Sequence, residues 1–368
     1  MKILLATPLY PPDIGGPATY STLLALELPQ RGYNIEVVSF GEVKHLPKII
    51  SHAVYFFKVL RKGKDADIIY ALDPVSVGLP AALASFFLKK RFFVRIAGDY
   101  AWEQASYTHR ITESPLSFSQ KYKEYPFKIR IYKEIQTEIA KRAEKIIVPS
   151  SYIKQVIFQW GIQKRKIRVI HNASEPSPLL KDKKTLRGLL HFDGILLISA
   201  GRLIPLKGFD TLIDVIPVLK RSYPRVKLLI VGDGPDRMRL EKKIGTLKLG
   251  DAVVLTGALK QDVLFGYIQA SDVFVLNALH ETFSHQILEA MSLGVPVVTT
   301  VAGGNPEIIE HNKSGMLVEY NNKKALVEAV RKVIDDKIFC KKIVSGATER
   351  LKLFDKGRIL DQIASELR

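Results

Sequence analysis

Short apolar runs alternate with stretches of helical periodicity along the first half of the chain. Five runs predict strands: KILLAT (2–7), NIEVVSF (34–40), ADIIYAL (66–72), RFFVRIAG (91–98) and KIIVPS (145–150). Short apolar runs such as these are typical of strands buried in a parallel sheet. Apolar positions at helical spacing predict a helix over residues 21–32 and a basic helix over residues 127–143.

The second half of the chain repeats this pattern. The predicted strands are residues 194–203, 227–234, 252–257, 271–277 and 296–300, and the predicted helices are residues 209–222, 237–248, 261–270 and 284–293. Strands that alternate with helices predict parallel sheets covered on both faces. Residues 174–183, with two prolines and mixed charges, predict a linker. The fold class is therefore α/β, and a cleft between two domains is expected at the carboxyl ends of the strands.

The composition supports two domains. A chain of 368 residues with 47% hydrophobic residues has enough apolar material for two cores. Its single cysteine, Cys340, excludes an intramolecular disulfide and favours a reducing cytoplasmic setting. The apolar run at the N-terminus is broken by Pro8, Pro11 and Pro12, which disfavours a signal peptide. No run approaches the ~20 apolar residues of a membrane-spanning helix.

The formal net charge of +18 indicates an anionic partner. The excess lies mainly in the first half, where residues 121–168 hold thirteen Lys and Arg against four Glu. Residues 45–64 and 127–143 interleave apolar and cationic positions at helical spacing. They predict either ordinary amphipathic helices or a patch that binds an anionic membrane surface. Nucleic acid is a poorer partner, because no recognition motif accompanies the charge.

The segment LHETFSHQILEAMSLG (279–294) carries two carboxylates around a predicted helix N-terminus. The helix is expected to begin near Ser284, with Glu281 in the loop before it and Glu289 on its second turn. Backbone amides at a helix N-terminus lack intrahelical acceptors and attract phosphate. One carboxylate can then accept ribose hydroxyls, and the other can reach a sugar beyond the phosphates. By spacing alone, a capped amphipathic helix explains the same residues.

Two other loops carry groups suited to phosphate. Arg202 and Lys207 follow a predicted strand and are placed to neutralise a diphosphate, although solvated surface cations are the alternative. Gly15 and Gly16 follow the first strand, where glycine lets backbone amides approach a ligand closely. A plain turn is the alternative interpretation of this glycine pair.

Several of these motifs together resemble the retaining glycosyltransferase family 4. The resemblance rests on Glu281-x7-Glu289 with the residues that follow it, and on four other segments in family order: LYPPDIGGPATY (9–20), GRLIPLKG (201–208), AGGNPEII (302–309) and SGMLV (314–318). It implies the GT-B fold, with two Rossmann-like domains whose parallel sheets face a central cleft. The domains would be residues 1–175, which bind the acceptor, and residues 176–351, which bind a nucleotide sugar. A C-terminal helix at about residues 352–368 is expected to pack back on the first domain.

The resemblance also assigns roles to individual positions. Glu289 would hold the ribose, and Glu281 would contact the donor sugar. The amides near Phe283, Ser284 and His285 would bind the diphosphate together with Arg202 and Lys207. Backbone groups at Leu259 and Lys260 would hold the nucleobase, and the loop of Gly15 and Gly16 would close over the diphosphate. Transfer is expected to proceed with retention and without a metal or a cofactor.

The segment RIAGDYAWE (95–103) departs from the family pattern. Many relatives have a histidine here that contacts the transferred sugar, whereas this chain has Gly98 followed by Asp99. Asp99 is expected either to bind sugar hydroxyls or position an acceptor, or to form a turn. Tyr100 and Trp102 offer flat faces that could stack on a sugar. Asn172 is expected to tie the end of the first domain through side-chain-to-backbone hydrogen bonds.

The function predicted from these observations is transfer of a sugar from a nucleotide-diphosphate sugar to a hydroxyl of a glycan, a lipid-linked acceptor or a small molecule. The expected location is the cytoplasm, with peripheral attachment at the inner face of the membrane. Two enzyme alternatives on the same architecture are a sugar-nucleotide epimerase or hydrolase and a phosphorylase that uses pyridoxal phosphate. A non-catalytic basic module that binds membrane or polyanion is the third alternative.

Overall fold

The computed structural model describes residues 1–13, 15–109, 111–174, 182–189 and 191–368. These residues form two compact units. Unit 1 contains Met1–Asn172 and Gly357–Arg368, and unit 2 contains Ala173–Lys356. The predicted linker at residues 174–183 lies mostly outside the described residues.

Unit 1 is built on a parallel sheet of six strands. The strands are β1 (Lys2–Thr7), β2 (Asn34–Ser39), β3 (Ile68–Ala71), β4 (Arg91–Arg95), β5 (Lys145–Val148) and β6 (Ile167–Val169), in the order β2-β1-β3-β4-β5-β6. The helices are α1 (Gly16–Glu27), α2 (Lys48–Gly63), α3 (Gly78–Leu88), α4 (Tyr100–His109), α5 (Pro115–Lys121), α6 (Phe127–Arg142) and α7 (Ser151–Phe158). From β1 the chain adds β2 on one side and then β3 to β6 on the other side, which is the strand order of a doubly wound sheet.

Unit 2 repeats the architecture. Its strands are β7 (Ile195–Ala200), β8 (Val226–Val231), β9 (Val253–Gly257), β10 (Val273–Leu276), β11 (Val297–Thr300) and β12 (Met316–Val318), in the order β12-β11-β10-β7-β8-β9. Its helices are α8 (Lys183–Leu189), α9 (Phe209–Lys220), α10 (Arg237–Thr246), α11 (Gln261–Ala270), α12 (His285–Ser292), α13 (Asn305–Ile308), α14 (Lys323–Asp335) and α15 (Lys337–Leu351). The strand pairs of this sheet are parallel.

The last helix, α16 (Lys356–Leu367), joins unit 1. Three of its side chains, Leu360, Ile363 and Leu367, are fully buried. The Tyr33 hydroxyl donates a hydrogen bond of 2.6 Å to the Ala364 carbonyl. The return to unit 1 starts at Gly357, later than the sequence suggests.

Residues just before α16 stay with unit 2 for a physical reason. Phe354 is buried in the apolar cluster beneath the second sheet and meets Phe283 edge to face, with ring centroids 5.3 Å apart. The amide of Ser174 also donates to the Phe354 carbonyl, at 2.7 Å. Ser174, near the start of unit 2, and Phe354, near its end, are therefore held next to each other.

Alternation along the strands of unit 2 places an apolar core on each face of its sheet. Leu197 of β7 belongs to one cluster, whereas its neighbours Leu196 and Ile198 belong to the other. Strands covered on both faces must be apolar at almost every position, which is why the apolar runs identified them in the sequence. The predicted α/β class is therefore observed.

Two strands, β6 and β12, were not predicted from the sequence. Each has three residues and lies at the edge of its sheet. Three residues are too few to establish a periodic pattern, and one neighbouring strand is enough to pair them. Within the described ranges, no helix combines the length and the hydropathy needed to span a bilayer.

Candidate functional site

Three consecutive strands of unit 2, β7, β8 and β9, end at a glycine or directly before one, at the carboxyl edge of the sheet. Gly201, Gly232 and Gly257 have φ values of 155°, 136° and 77°, a region that L side chains rarely adopt. A Cβ at Gly232 would overlap the carbonyl oxygen of Gly201. The Gly201 amide donates to the Val231 carbonyl at 2.9 Å. Backbone therefore packs directly on backbone here, with no side chains between the strand ends.

Two loops at this edge are tied to each other. The Leu279 amide, after β10, donates to the Leu206 carbonyl, in the loop after β7, at 2.8 Å. The Asn277 side-chain amide donates to the Gly208 carbonyl at 3.0 Å. Gly208 has a φ of 56°, and a Cβ there would overlap the Asn277 carbonyl oxygen. These contacts bring together the loops that carry Lys207 and Glu281.

The Lys207 ammonium forms an ion pair with Glu281 Oε1. The two side chains keep 17% and 11% of their surface exposed, so the pair is largely but not completely withdrawn from solvent. The backbone of Glu281 is fixed independently, because its carbonyl accepts a hydrogen bond of 2.8 Å from the Gly304 amide. Two residues predicted separately, from loops 74 positions apart, thus meet at one point.

Helix α12 starts beside this pair. It begins at His285, and Ser284 is its N-cap, with Ser284 Oγ accepting from the Ile287 amide at 3.4 Å. Ser284 is buried, and Phe283 is held by its contact with Phe354. The amides of the first helical turn therefore open at the same edge that carries Glu281. Glu289 follows on the second turn and is half-buried.

His280, directly before Glu281, has a strongly perturbed titration. Its imidazole Nε2 is enclosed. Burial, together with the nearby Lys207 ammonium, lowers the pKa of His280 to about 3. This side chain is therefore neutral at physiological pH and leaves Lys207 as the local cation. No sequence pattern indicated this property, because burial at a loop position depends on the whole fold.

The other predicted donor residues of unit 2 lie on the loops that follow β7 and β9. Arg202 comes directly after Gly201, and its side chain is exposed. Leu259 is half-buried against the core, and exposed Lys260 is the N-cap of α11. All three follow strand ends of the glycine-lined carboxyl edge. The sequence did not single out Asn277, although its side chain links the two loops.

Gly15 and Gly16 lie in unit 1, after β1. Gly15, with a φ of 145°, is the N-cap residue of α1, and Gly16 is its first helical residue. The Thr19 amide donates to the Gly15 carbonyl at 3.0 Å. The pair thus opens a helix at the carboxyl end of the first strand, which is the geometry expected of a glycine loop that meets a ligand.

Asp99 does not have the accessibility expected of a sugar ligand. It has no exposed surface, and its Oδ2 accepts a 2.6 Å hydrogen bond from the Lys133 ammonium. Its Oδ1 accepts from Gln136 at 2.7 Å and from the Trp102 amide at 3.1 Å. The structural alternative raised by the sequence therefore fits better: Asp99 holds the start of α4 and pairs with α6. Trp102 is buried as well and presents no face to solvent.

Asn172 is linked to β4 through its side chain. Its Oδ1 accepts a 2.6 Å hydrogen bond from Arg95 Nη2. The Arg95 guanidinium lies over the Tyr20 ring, with its carbon 3.5 Å from the centroid. The end of unit 1 is therefore tied to β4 and α1 through a buried arginine.

Among the described residues, no group of three or more His, Cys, Asp or Glu side chains is arranged to hold a metal ion. His171 Nδ1 instead lies 2.9 Å from the Pro149 carbonyl oxygen. The expectation of transfer without a metal or a cofactor remains a prediction.

Two family models together cover most of the chain. The model described as Glycosyltransferase Family 4 matches residues 14–177, and the model described as Glycosyl transferases group 1 matches residues 184–350. The chain belongs to glycosyltransferase family 4. Each model falls almost entirely on one of the two structural units, so both units of this family 4 protein carry the family pattern.

Individual relatives of this family 4 chain match part of their length. The lipopolysaccharide core biosynthesis glycosyltransferase LpsD of Rhizobium meliloti is 29% identical over 65% of each chain. The GDP-mannose-dependent alpha-(1-6)-phosphatidylinositol monomannoside mannosyltransferase of Mycobacterium tuberculosis is 32% identical over 38% of each chain. The matched segments thus span less than two thirds of these relatives.

A solved structure matches the family 4 chain over its whole length. Anabaena HepE in complex with UDP-glucose has a TM-score of 0.79 and 24% identity, covering 100% of this chain and 99% of that one. The fold is accordingly GT-B, an α/β class with two Rossmann-like units.

Proposed function

We propose that this chain transfers a sugar from a nucleotide-diphosphate sugar to an acceptor hydroxyl, with retention of the anomeric configuration. The observation that carries the proposal is the Lys207–Glu281 pair beside the N-terminus of α12. A cation and a set of helix-end amides can bind a diphosphate, and a carboxylate can accept hydrogen bonds from sugar hydroxyls.

The donor would be held in order along the carboxyl edge of unit 2. Lys207, Arg202 and the first-turn amides of α12 bind the diphosphate, and Glu281 accepts hydrogen bonds from the sugar hydroxyls. Glu289 lies eight residues after Glu281 and accepts the ribose hydroxyls. Leu259 and Lys260 border the nucleobase. The strand-end glycines leave backbone groups accessible where a side chain would block the phosphates.

The Lys207–Glu281 pair has a use before the donor arrives. A mostly buried ammonium without a counter-charge would be costly, and the carboxylate supplies that charge in the free protein. When the diphosphate binds, Lys207 gains a second anionic partner, and the Glu281 oxygens remain available for the sugar. The two side chains therefore keep each other positioned for the donor.

Transfer would proceed on one face of the sugar. The acceptor oxygen forms a bond to the anomeric carbon on the side from which the diphosphate departs, and the bond between that carbon and the phosphate oxygen breaks. The acceptor proton passes to the departing phosphate oxygen. Lys207 and Arg202 stabilise the negative charge that develops on the diphosphate. This scheme requires no side-chain base, metal or cofactor.

Relatives support a glycan or lipid-linked acceptor. The name of one relative refers to the lipopolysaccharide core, and that of another to GDP-mannose and a phosphatidylinositol monomannoside. HepE was solved with UDP-glucose. Uridine- and guanosine-diphosphate sugars are therefore the first donors to test. The peripheral location at the inner face of a membrane stays a separate prediction from the sequence.

A donor screen with product analysis tests the function. Purified protein is incubated with UDP-, GDP- and ADP-sugars, with and without glycan and lipid-linked acceptors. Donor consumption that requires an acceptor, with the product in the donor's anomeric configuration, supports the proposal. Consumption without any acceptor assigns the chain to the hydrolase or epimerase alternative.

Matched variants separate a donor site from general charge effects. Lys207→Met and Glu289→Ala are expected to weaken donor turnover, whereas Lys324→Met, at an exposed lysine of unit 2, is expected to leave it unchanged. If no nucleotide sugar binds, or if Lys207→Met and Glu289→Ala bind donors as the unchanged protein does, the proposed function is wrong.

A further inference from the structure

Helices α2 and α3 expose large apolar side chains next to each other. Phe57 of α2 is 63% exposed, and Phe86 and Phe87 of α3 are 71% and 66% exposed. Ile49 and Ile50 at the start of α2, and Leu83 of α3, are also exposed. Single exposed apolar residues are common on protein surfaces, but a group on two neighbouring helices is not explained by packing in the core.

The aromatic rings form a continuous line across the two helices. The ring centroids of Phe57 and Phe56 are 5.3 Å apart, those of Phe56 and Phe87 are 6.1 Å apart, and those of Phe87 and Phe86 are 5.8 Å apart. We call these four residues the aromatic ridge. Because the ring contact between Phe56 and Phe87 links α2 to α3, the ridge is one surface rather than two separate stripes.

Cations collect at one end of this surface. Gly63, at the end of α2, lies against Leu88, at the end of α3, so the two helix C-termini are neighbours. Arg61, Lys64 and Lys89 are exposed there, and Lys90 is half-buried. Lys58 and Lys62 pair with glutamates, and Asp65 is exposed among the cations. The local net charge at this end of the two helices is therefore positive.

We propose that the aromatic ridge and these cations attach the protein to an anionic lipid bilayer. Aromatic rings on an amphipathic helix bury their apolar area at the boundary between headgroups and acyl chains. Lys and Arg at the edge of such a surface are attracted to anionic headgroups, each contributing about 1 kcal/mol near the membrane. A positive rim around an apolar ridge fits a negatively charged bilayer better than a neutral one.

Helix α6, the other basic stretch identified in the sequence, is a weaker candidate. It exposes Phe127 and Ile131, but Lys133 is buried in the pair with Asp99. Glu134 and Glu138 alternate with the remaining cations of this helix. The structure therefore separates two segments that have similar sequence patterns, and it favours α2 with α3.

Vesicle co-sedimentation with the full chain tests the attachment. The probes are vesicles of phosphatidylcholine alone and of phosphatidylcholine mixed with phosphatidylglycerol. The unchanged protein is expected to bind the anionic vesicles and to be released as salt is raised. The double variant Phe57→Ser/Phe86→Ser is expected to bind about tenfold more weakly or worse, because burial of each ring accounts for a large share of the affinity. Arg61→Glu/Lys89→Glu is expected to lose the preference for anionic vesicles.

Phe127→Ser on α6 serves as the matched control, since it removes an equally exposed ring from the same unit. The variants replace exposed side chains, and thermal unfolding checks that each one folds. The proposal is overturned if Phe57→Ser/Phe86→Ser binds as the unchanged protein does, or if Phe127→Ser loses binding to the same extent. Sedimentation velocity in the absence of lipid gives a further contradicting outcome. Self-association that is lost in Phe57→Ser/Phe86→Ser, without vesicle binding, assigns the ridge to a second copy of the chain.

This inference goes beyond the proposed function, because its readout is lipid binding and does not depend on sugar transfer. A protein that turns over donor without binding vesicles refutes only the attachment. A protein that binds vesicles through the ridge without using a nucleotide sugar refutes only the transferase activity.

Discussion

The two units have similar sheets but use charge at the strand ends differently. In unit 2, Lys207 and Glu281 form a pair whose side chains remain 17% and 11% exposed. In unit 1, Lys133 and Asp99 form a pair whose side chains are 3% and 0% exposed. Both pairs include a residue that follows a strand and that the sequence made a candidate for binding a sugar or its phosphates. The comparison shows that a charged pair can serve a ligand only where the ligand can reach it.

Solvent access changes the energetics of the two pairs. The pair in unit 2 keeps some contact with solvent, so water can compensate part of the charge that a substitution leaves behind, and a ligand can reach either member. A buried pair behaves differently, because removing one member leaves the other charged and without compensation in a medium of low polarity. The pair in unit 1 should therefore govern stability, and the pair in unit 2 should govern activity.

The largest expected effect concerns the buried pair. Asp99→Ala leaves the Lys133 ammonium buried without its carboxylate and removes the acceptor of the Trp102 amide, so the free energy of unfolding should fall by about 3–5 kcal/mol. Urea denaturation measures this loss. The double variant Asp99→Asn/Lys133→Met, which buries no charge, should lose less than Asp99→Ala. An unchanged unfolding midpoint in Asp99→Ala would show that the pair does not support unit 1.

The second prediction concerns the pair in unit 2, and its main measurement is the rate of sugar transfer. Lys207→Met should lower the rate of sugar transfer about 10²–10³-fold, because it removes a positive charge from the departing diphosphate. Its free energy of unfolding should fall by less than that of Asp99→Ala, because the Glu281 carboxylate that is left behind keeps some contact with solvent. Lys133→Met should do the reverse at equal donor saturation, with a large loss of stability and, in the fraction that remains folded, a rate near that of the unchanged protein. If Lys207→Met and Lys133→Met change the transfer rate and the free energy of unfolding to the same extent, the two pairs do not have different roles.

The third prediction concerns the glycine edge of unit 2. Gly232→Ala places a Cβ where the Gly201 carbonyl lies, at a φ that alanine rarely adopts, so it should destabilise the protein by about 1–3 kcal/mol. Donor affinity should fall as well, since the strand ends must separate. Gly250→Ala, at a glycine with open space around its Cβ position, provides the control. Similar unfolding midpoints for both variants would contradict the close packing of the strand ends.

The smallest expected effect at pH values close to neutrality is a pH dependence of stability. The pKa of His280 is about 3 in the folded protein, against 6.5 for an unperturbed histidine. As pH falls from about 6.5 towards 3, the unfolded chain binds a proton that the folded chain excludes, so stability decreases with falling pH by at most about 1.4 kcal/mol per unit. His280→Asn should flatten this slope, as measured by urea midpoints across pH. The exposed histidine variant His109→Asn should keep the original slope.

The sequence predicts the positions of the candidate site residues in unit 2 better than it predicts the contacts of the charged residues in unit 1. Glu281, Glu289 and the cap at Ser284 form one local segment, so their spacing along a strand, loop and helix fixes much of their geometry. The loop of Lys207 is tied to them by the Asn277 side chain, a contact that strand positions alone do not reveal. Burial of parallel strands leaves a strong apolar signal, which explains the success of the fold prediction.

Asp99 shows why the remainder was not predictable. A carboxylate after a strand has the same local sequence whether it faces solvent or a lysine from another helix. Its partner Lys133 lies 34 residues away, in a helix whose basic pattern suggested a solvent-facing or membrane-facing surface. Only the packing of α6 against α4 turns this lysine inward. Long-range pairing of charges therefore has to be observed in the fold.

The return of α16 to unit 1 has a consequence for synthesis on the ribosome. Unit 2 is an uninterrupted stretch, whereas unit 1 consists of a long N-terminal part and a last segment, Gly357–Arg368, that is translated after the whole of unit 2. The sites that receive Leu360, Ile363 and Leu367 stay uncovered while unit 2 is being made. The first unit to emerge is thus the last to be completed. A nascent chain stalled before Gly357 would expose an apolar surface that chaperones recognise.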